Sequence, residues 1–236
     1  METAFKIWDN PNEALEEVER RIHDGVPLDK LHDRAQAYVN TLCAYFPWTL
    51  PKPGSVILEI GSGVGYIIEA IFQCFQPHKI IGLDISPSMI EKAKERMHRD
   101  GVDSSAIQFL TYDGIHIPAS DDTIDYVYSV ACLQHIPKAF VYNLFGEILR
   151  ILKSSGYAAL HFLAFSHLRE QSKYLPFPEE IKKQLANTEG HWHFYYSKDE
   201  LFYVISEGYG GSHIHICEEN GSIWISFGKD KDRVKY

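Results

Sequence analysis

Three glycines spaced by two, Gly61, Gly63 and Gly65, follow directly on the run Val56-Ile57-Leu58-Glu59-Ile60. A strand that ends in such a loop turns tightly and lets its backbone come close to a ligand. Two acids stand downstream. Asp84 closes Gly82-Leu83-Asp84, 23 residues after Gly61, and Asp113 closes Thr111-Tyr112-Asp113 just before Gly114. A carboxylate in the first place can accept both hydroxyls of a ribose, and one in the second can accept the exocyclic amine of an adenine. Taken alone, Asp84 reads equally well as a solvated strand end or a cap for the helix that starts near Pro87. The glycines upstream are what give it a ligand.

The spacing removes two common ligands. A phosphate loop requires Gly-x-x-x-x-Gly-Lys-[Ser/Thr], and no lysine follows Gly65. The dinucleotide fingerprint Gly-x-Gly-x-x-Gly places its third glycine where Tyr66 stands, a side chain too large for the close helix–strand packing that glycine serves. A nucleoside without phosphates fits better.

Candidates for proton transfer lie further along. His135 follows the fourth strand, and His191-Trp192-His193-Phe194-Tyr195-Tyr196 is a dense run of rings. His135, His191, His193 and Tyr196 are the candidate catalytic side chains, able to act as base or to line an acceptor pocket. The same run reads at least as readily as an aromatic surface strand or core plug, and His135 as a pocket wall. His161 lies within the fifth strand and faces either core or cleft. His191/His193 and His213/His215 each place two rings on one strand face, but no Cys or acid completes a tetrahedral set, so no metal site is expected.

The elements needed to position these residues are legible as alternating strand and helix. Strands are expected at 55–60, 79–84, 106–111, 124–130 and 156–163, and helices at 65–75, 87–99 and 138–153. That rhythm implies parallel βαβ units with right-handed crossovers. Ser86 caps the helix that opens at Pro87, with Met89, Ile90, Ala93 and Met97 as its buried stripe. Asn220-Gly221 between His213–Cys217 and Ser222–Phe227 signals a terminal hairpin. Upstream, one helix is expected at 12–22, capped by Asn10 or Asn12, and another from Leu28 to about Phe46. Pro47, Pro51 and Pro53 then break the chain, so 1–50 reads as a helical N-terminal cap on a main domain of 51–236, with an insertion at about 164–207.

Composition sets the outer limits. A chain of 236 residues with 45% apolar and 23% charged residues suits one α/β domain with a full core. A net charge of −9 without a basic stripe argues against nucleic acid. The four cysteines are far apart and read as reduced thiols, and neither a signal peptide nor a membrane-length apolar run is visible. The expectation is a cytoplasmic protein with no membrane contact.

Leu58-Glu59-Ile60-Gly61-Ser62-Gly63-Val64-Gly65, Gly82-Leu83-Asp84-Ile85-Ser86-Pro87-Ser88-Met89-Ile90, Asp113 to Pro118, Thr123 to Ser129, Leu133-Gln134-His135-Ile136 and Leu149 to Tyr157 occur in family order. Together they resemble the class I S-adenosylmethionine-dependent methyltransferases, in the small-molecule branch often called type 11, over residues 54 to about 162. The resemblance implies a Rossmann-like, seven-stranded, mostly parallel sheet with helices on both faces and an antiparallel C-terminal hairpin. It implies S-adenosylmethionine as cofactor, with S-adenosylhomocysteine as product. Glu59, Gly61, Ser62, Gly63 and Gly65 would wrap the methionine part and Asp84 would hold the ribose. Ile85 and Met89 would flank the adenine, Asp113 and Gly114 would sit at its amine edge, and Val130 and His135 would lie near the methionine. Val64 is larger than the family's usual choice. The implied reaction is in-line methyl transfer to oxygen or nitrogen of a small molecule; because the sulfonium is already activated, the displacement itself needs no metal. The insertion would form a substrate lid. Alternatives with the same pocket are a protein or peptide methyltransferase, a non-catalytic cofactor-binding partner subunit, or an aminopropyl transferase.

Overall fold

The computed structural model of the protein describes residues 8–23, 25–167 and 193–229. Two helices, α1 (Leu15–Ile22) and α2 (Leu31–Tyr45), precede the sheet, α2 being entered through a 3-10 turn at Leu28–Lys30. Then follow β1 (Val56–Ile60), α3 (Tyr66–Phe75), β2 (Lys79–Asp84), α4 (Pro87–Arg99), β3 (Ile107–Thr111), β4 (Ile124–Ser129), α5 (Lys138–Ile151) and β5 (Leu152–Ala164). The described residues end with a short β6 (Tyr195–Tyr196), α6 (Lys198–Tyr203), β7 (Gly211–Glu219) and β8 (Ser222–Lys229).

The strands lie in the order β3-β2-β1-β4-β5-β8-β7, with β6 paired to β5 off this path. All pairs through β5 are parallel, and β8 runs antiparallel to both β5 and β7. The order reverses between β1 and β4. A crevice opens there, outside the carboxyl ends of the strands, and ligands of open α/β sheets bind in it.

The sheet divides the core by the two-residue period of its strands. Ile57, Ile80, Tyr126 and Tyr128 face one side, where α1 to α4 supply Leu15, Val18, Leu31, Val39, Ile68 and Ala93. Leu58, Ile81, Val127 and Leu160 face the other, packed by α5 and the C-terminal elements. The first two helices thus share one apolar core with β1 and α3.

Several boundaries differ from expectation. The first helix begins at Leu15 with Ala14 as N-cap, so neither Asn10 nor Asn12 caps it; the Glu17 carboxylate accepts the Ala14 N–H instead. β5 starts at Leu152, directly after α5, because Leu152 already pairs with Ile124 of β4. α6 runs on into a π turn at Val204–Gly208. Its start follows capping chemistry: Ser197 accepts the Glu200 N–H and Glu200 accepts the Ser197 N–H. His213 stands at φ +51 in a ladder irregularity between Ser212 and His215, which interrupts the regular alternation expected to put both rings on one strand face.

Candidate active site

The glycine loop is built against the neighbouring strand. The N–H groups of Gly61 and Ser62 both donate to the Leu83 carbonyl, at 2.8 and 2.9 Å. Gly61, Gly63 and Gly65 all have positive φ (+77, +50 and +85). At Gly61 a Cβ would fall 2.1 Å from Cys132 Sγ, so this glycine is fixed by space as well as by backbone. Gly82 lets β2 pass beneath the loop, since a Cβ there would meet Ile68 at 2.4 Å and Ser62 at 3.0 Å.

Asp84 is buried at the end of β2 and held from two sides. Oδ2 accepts the Gly63 N–H at 3.0 Å and Oδ1 accepts the Ser86 N–H at 3.0 Å. Each carboxylate oxygen keeps a further lone pair, so the group is oriented and can still accept. Burial raises its pKa, against the lowering effect of those N–H donors. Ser86 caps α4 by accepting the Met89 N–H and donates to Asp9 Oδ1 at 2.9 Å.

These residues line one cleft of about 1100 Å³, counting its open mouth, at the reversal of strand order. Glu59, Gly61, Ser62, Gly63, Gly65, Asp84, Ile85, Met89, Val130 and His135 all contribute to its wall. Glu59 is fully buried, and its pKa is raised well above the ordinary carboxyl value. Desolvation is the main cause, the neighbouring Tyr128 hydroxyl opposes it, and the Asp84 charge adds to it. Glu59 Oε2 and Ser62 Oγ are buried without a hydrogen-bond partner. Orphaned polar atoms in a cleft wall are what a polar ligand would satisfy.

Asp113 and Gly114 are not part of that wall. The Asp113 carboxylate accepts the N–H groups of Ile115 and His116 at 2.7 Å and faces His116 Nδ1 at 2.9 Å, closing its own exposed turn. Those donors hold its pKa down at about 2. Tyr112, its buried neighbour, faces the cleft instead.

After β4, Ala131 adopts φ +54 and a 3-10 turn, Leu133–His135, carries His135 to the cleft mouth. The Ala131 N–H is accepted by His161 Nδ1 at 3.3 Å, and His161 Nε2 meets Ser222 Oγ at 3.1 Å. Burial lowers the His161 pKa to about 4. His161 is therefore a neutral support under the loop. The His135 ring lies 5.3 Å from Trp8 and 4.8 Å from His193. His193 thus reaches the mouth, whereas His191 lies outside the described residues. Tyr196 does not reach it: the side chain is fully buried, 4.7 Å from the Phe162 ring, with Lys138 Nζ 4.6 Å above it. Its place as the second residue of β6 turns it into the core.

The sequence reading missed the wall supplied by the first fifty residues. Trp8, Ile22 and His23 line the cleft, as do Leu31, Arg34, Ala35 and Tyr38, which share one face of α2 at i, i+3, i+4 and i+7. Arg34 donates to the His23 carbonyl at 2.7 Å and to the Tyr38 hydroxyl at 3.3 Å. The signal was the one-sided spacing of Leu31, Ala35 and Tyr38 along the expected helix.

Residues 57–156 match the profile of the family described as Methyltransferase domain. Over that span the chain is similar to S-adenosylmethionine-dependent methyltransferases. Among curated relatives, phosphoethanolamine N-methyltransferase 2 of Caenorhabditis elegans is 34% identical over 105 residues, 44% of this chain and 23% of that protein. The chain spans less than half the length of the first curated relatives it matches, between 23 and 44%. In structure, a candidate S-adenosyl-L-methionine-dependent methyltransferase of Methanococcus maripaludis superposes with TM-score 0.66 at 21% identity, covering 97% of this chain and 96% of that one. Magnesium protoporphyrin IX methyltransferase of Synechocystis, solved with bound S-adenosylhomocysteine, gives 0.64 at 17%, over 91% and 94%. These two likenesses show the fold, which continues beyond the matched span into β5 and the β7–β8 pair. No helix among the described residues is long and apolar enough to cross a membrane.

Proposed function

We propose that the protein transfers a methyl group from S-adenosylmethionine to oxygen or nitrogen of a small-molecule acceptor and releases S-adenosylhomocysteine. The observation that carries this reading is the junction of Gly63 with Asp84, where the glycine loop and the strand-end carboxylate meet at the reversal of strand order. Asp84 would accept the ribose hydroxyls, Ile85 and Met89 would flank the adenine, and the Gly61–Gly65 loop with Glu59 and Ser62 would take the methionine part. When bound, S-adenosylmethionine supplies a methyl group already activated by its sulfonium.

The chain's own work is orientation, exclusion of water and handling of one proton. The residues 1–50 act as a cap, whose Ile22, Leu31 and Ala35 wall the cleft against solvent. His135, at the mouth, accepts the proton lost by the acceptor, with His193 beside it. Trp8 offers a flat apolar face beside His135. Relatives named for phosphoethanolamine, sterols and arsenite support a small acceptor rather than a macromolecule.

The test is incubation with S-adenosylmethionine labelled in its methyl group and a cell metabolite extract. Label is expected in the low-mass fraction together with S-adenosylhomocysteine. Label confined to protein or RNA overturns the small-molecule reading.

A further inference from the structure

We infer that Tyr66, Arg96 and Glu19 form a positioning cluster that sets the glycine loop for its ligand and ties the N-terminal helices to it. The inference rests on the cofactor reading above. Arg96 of α4 is fully buried behind the loop. Its Nε donates to the Val64 carbonyl at 2.7 Å and its Nη2 to the Gly65 carbonyl at 3.1 Å. Glu69 at 2.7 Å and Asp100 at 3.1 Å balance the charge. A peptide unit is planar, so a carbonyl pinned from behind turns its own N–H the other way. Pinning Gly65 C=O therefore aims the Tyr66 N–H, the first of α3, toward the cleft that Gly65 and Tyr66 line.

Tyr66 joins this anchor to the cap. The Arg96 guanidinium carbon lies 4.2 Å from its ring centroid. Its hydroxyl donates to Glu19 Oε1 of α1 at 2.7 Å, and Arg99 donates to both Glu19 oxygens at 2.8 and 2.9 Å. The His32 ring of α2 meets the same ring edge-on at 4.8 Å, and His32 Nε2 lies 3.4 Å from Glu69. Tyr66 stands where a dinucleotide fold needs a glycine. Here the bulk has a use: it joins α1, α2 and α4 behind one loop.

Two variants test this by S-adenosylhomocysteine titration, thermal melting and cofactor kinetics. Tyr66→Phe keeps the ring and removes the hydroxyl's bond to Glu19 at 2.7 Å and the one it accepts from Arg99 at 3.3 Å. It is expected to weaken S-adenosylhomocysteine binding about tenfold with little change in Tm. Arg96→Lys cannot span two carbonyls and two carboxylates, and is expected to lose at least about tenfold. In both, the cofactor KM rises by the larger factor and kcat at saturating cofactor falls by the smaller one. A purely structural cluster would lower Tm and leave the affinity of the folded protein unchanged, and that result overturns the inference alone. Wild-type protein that does not bind S-adenosylhomocysteine overturns the cofactor reading and this inference with it.

Discussion

Glu59 and Asp84 are two buried acids in one cleft wall, and their environments separate their roles. Asp84 is oriented by two backbone donors, whereas Glu59 keeps an unpartnered oxygen. The folded protein holds the Glu59 proton to higher pH than the unfolded chain, whose value is near 4.5. Stability linked to that proton is complete below the unfolded value and falls as pH rises toward the folded one. Glu59→Gln is thus expected to raise Tm at neutral pH, with the gain vanishing at about pH 4, while weakening cofactor binding; melts across pH and a titration read both. His161 has the opposite sign. Its folded pKa, about 4, lies below its ordinary 6.5, so stability is lost as pH falls between these values. The loss is at most on the order of 3 kcal/mol, and His161→Gln should flatten that part of the acid-stability curve. His135→Ala is expected to lower kcat by about a hundredfold or more while keeping S-adenosylhomocysteine affinity near wild type, measured by steady-state kinetics and titration. Asp84 was readable from spacing because strand ends are readable. Asp113 shares that spacing, yet its carboxylate is taken by its own turn, and a side chain's choice between local and distant partners leaves no periodicity in a sequence.

The turn from β1 to α3 is the element on which the site depends, and its glycines differ in what they tolerate. Gly61 has both positive φ and a Cys132 contact that an added Cβ would invade. Gly61→Ala is expected to cost roughly 3 kcal/mol or more in urea unfolding. Gly63, whose nearest obstacle is Ile22 Cδ1 at 3.5 Å, carries only the cost of its backbone angle, so Gly63→Ala should cost about 1 kcal/mol. The glycine spacing announced the turn, and β1, β2, α4 and the Asn220-Gly221 hairpin were legible for similar reasons: strong caps, breakers and alternation. The start of β5 was not, because Leu152 continues the helical stripe of α5 and only its pairing with Ile124 turns it into strand. The choice between pocket and core for Tyr196 was not legible either, since a two-residue strand gives no period from which to tell inside from outside.

At the scale of the whole molecule, the cap and the sheet are one body of apolar contacts. Leu15, Val18, Leu31, Ala35, Val39, Leu42 and Phe46 are buried in the same cluster as Ile57 and Tyr66. At roughly 1.5–3 kcal/mol for each large side chain, their removal amounts to on the order of 10 kcal/mol, comparable to the entire stability of a domain. A chain trimmed to 51–236 is therefore expected to lack a cooperative melt and near-ultraviolet circular dichroism. The proline-rich break after residue 46 marked a change of element, and a sequence shows such a break without showing which surfaces close across it. The central claim concerns which nucleoside the cleft receives, and calorimetric titration addresses it directly. S-adenosylmethionine and S-adenosylhomocysteine are expected to bind with one-to-one stoichiometry, and NAD and ATP to give no binding heat. Binding of NAD or ATP, with none of either adenosyl sulfur compound, would contradict the account.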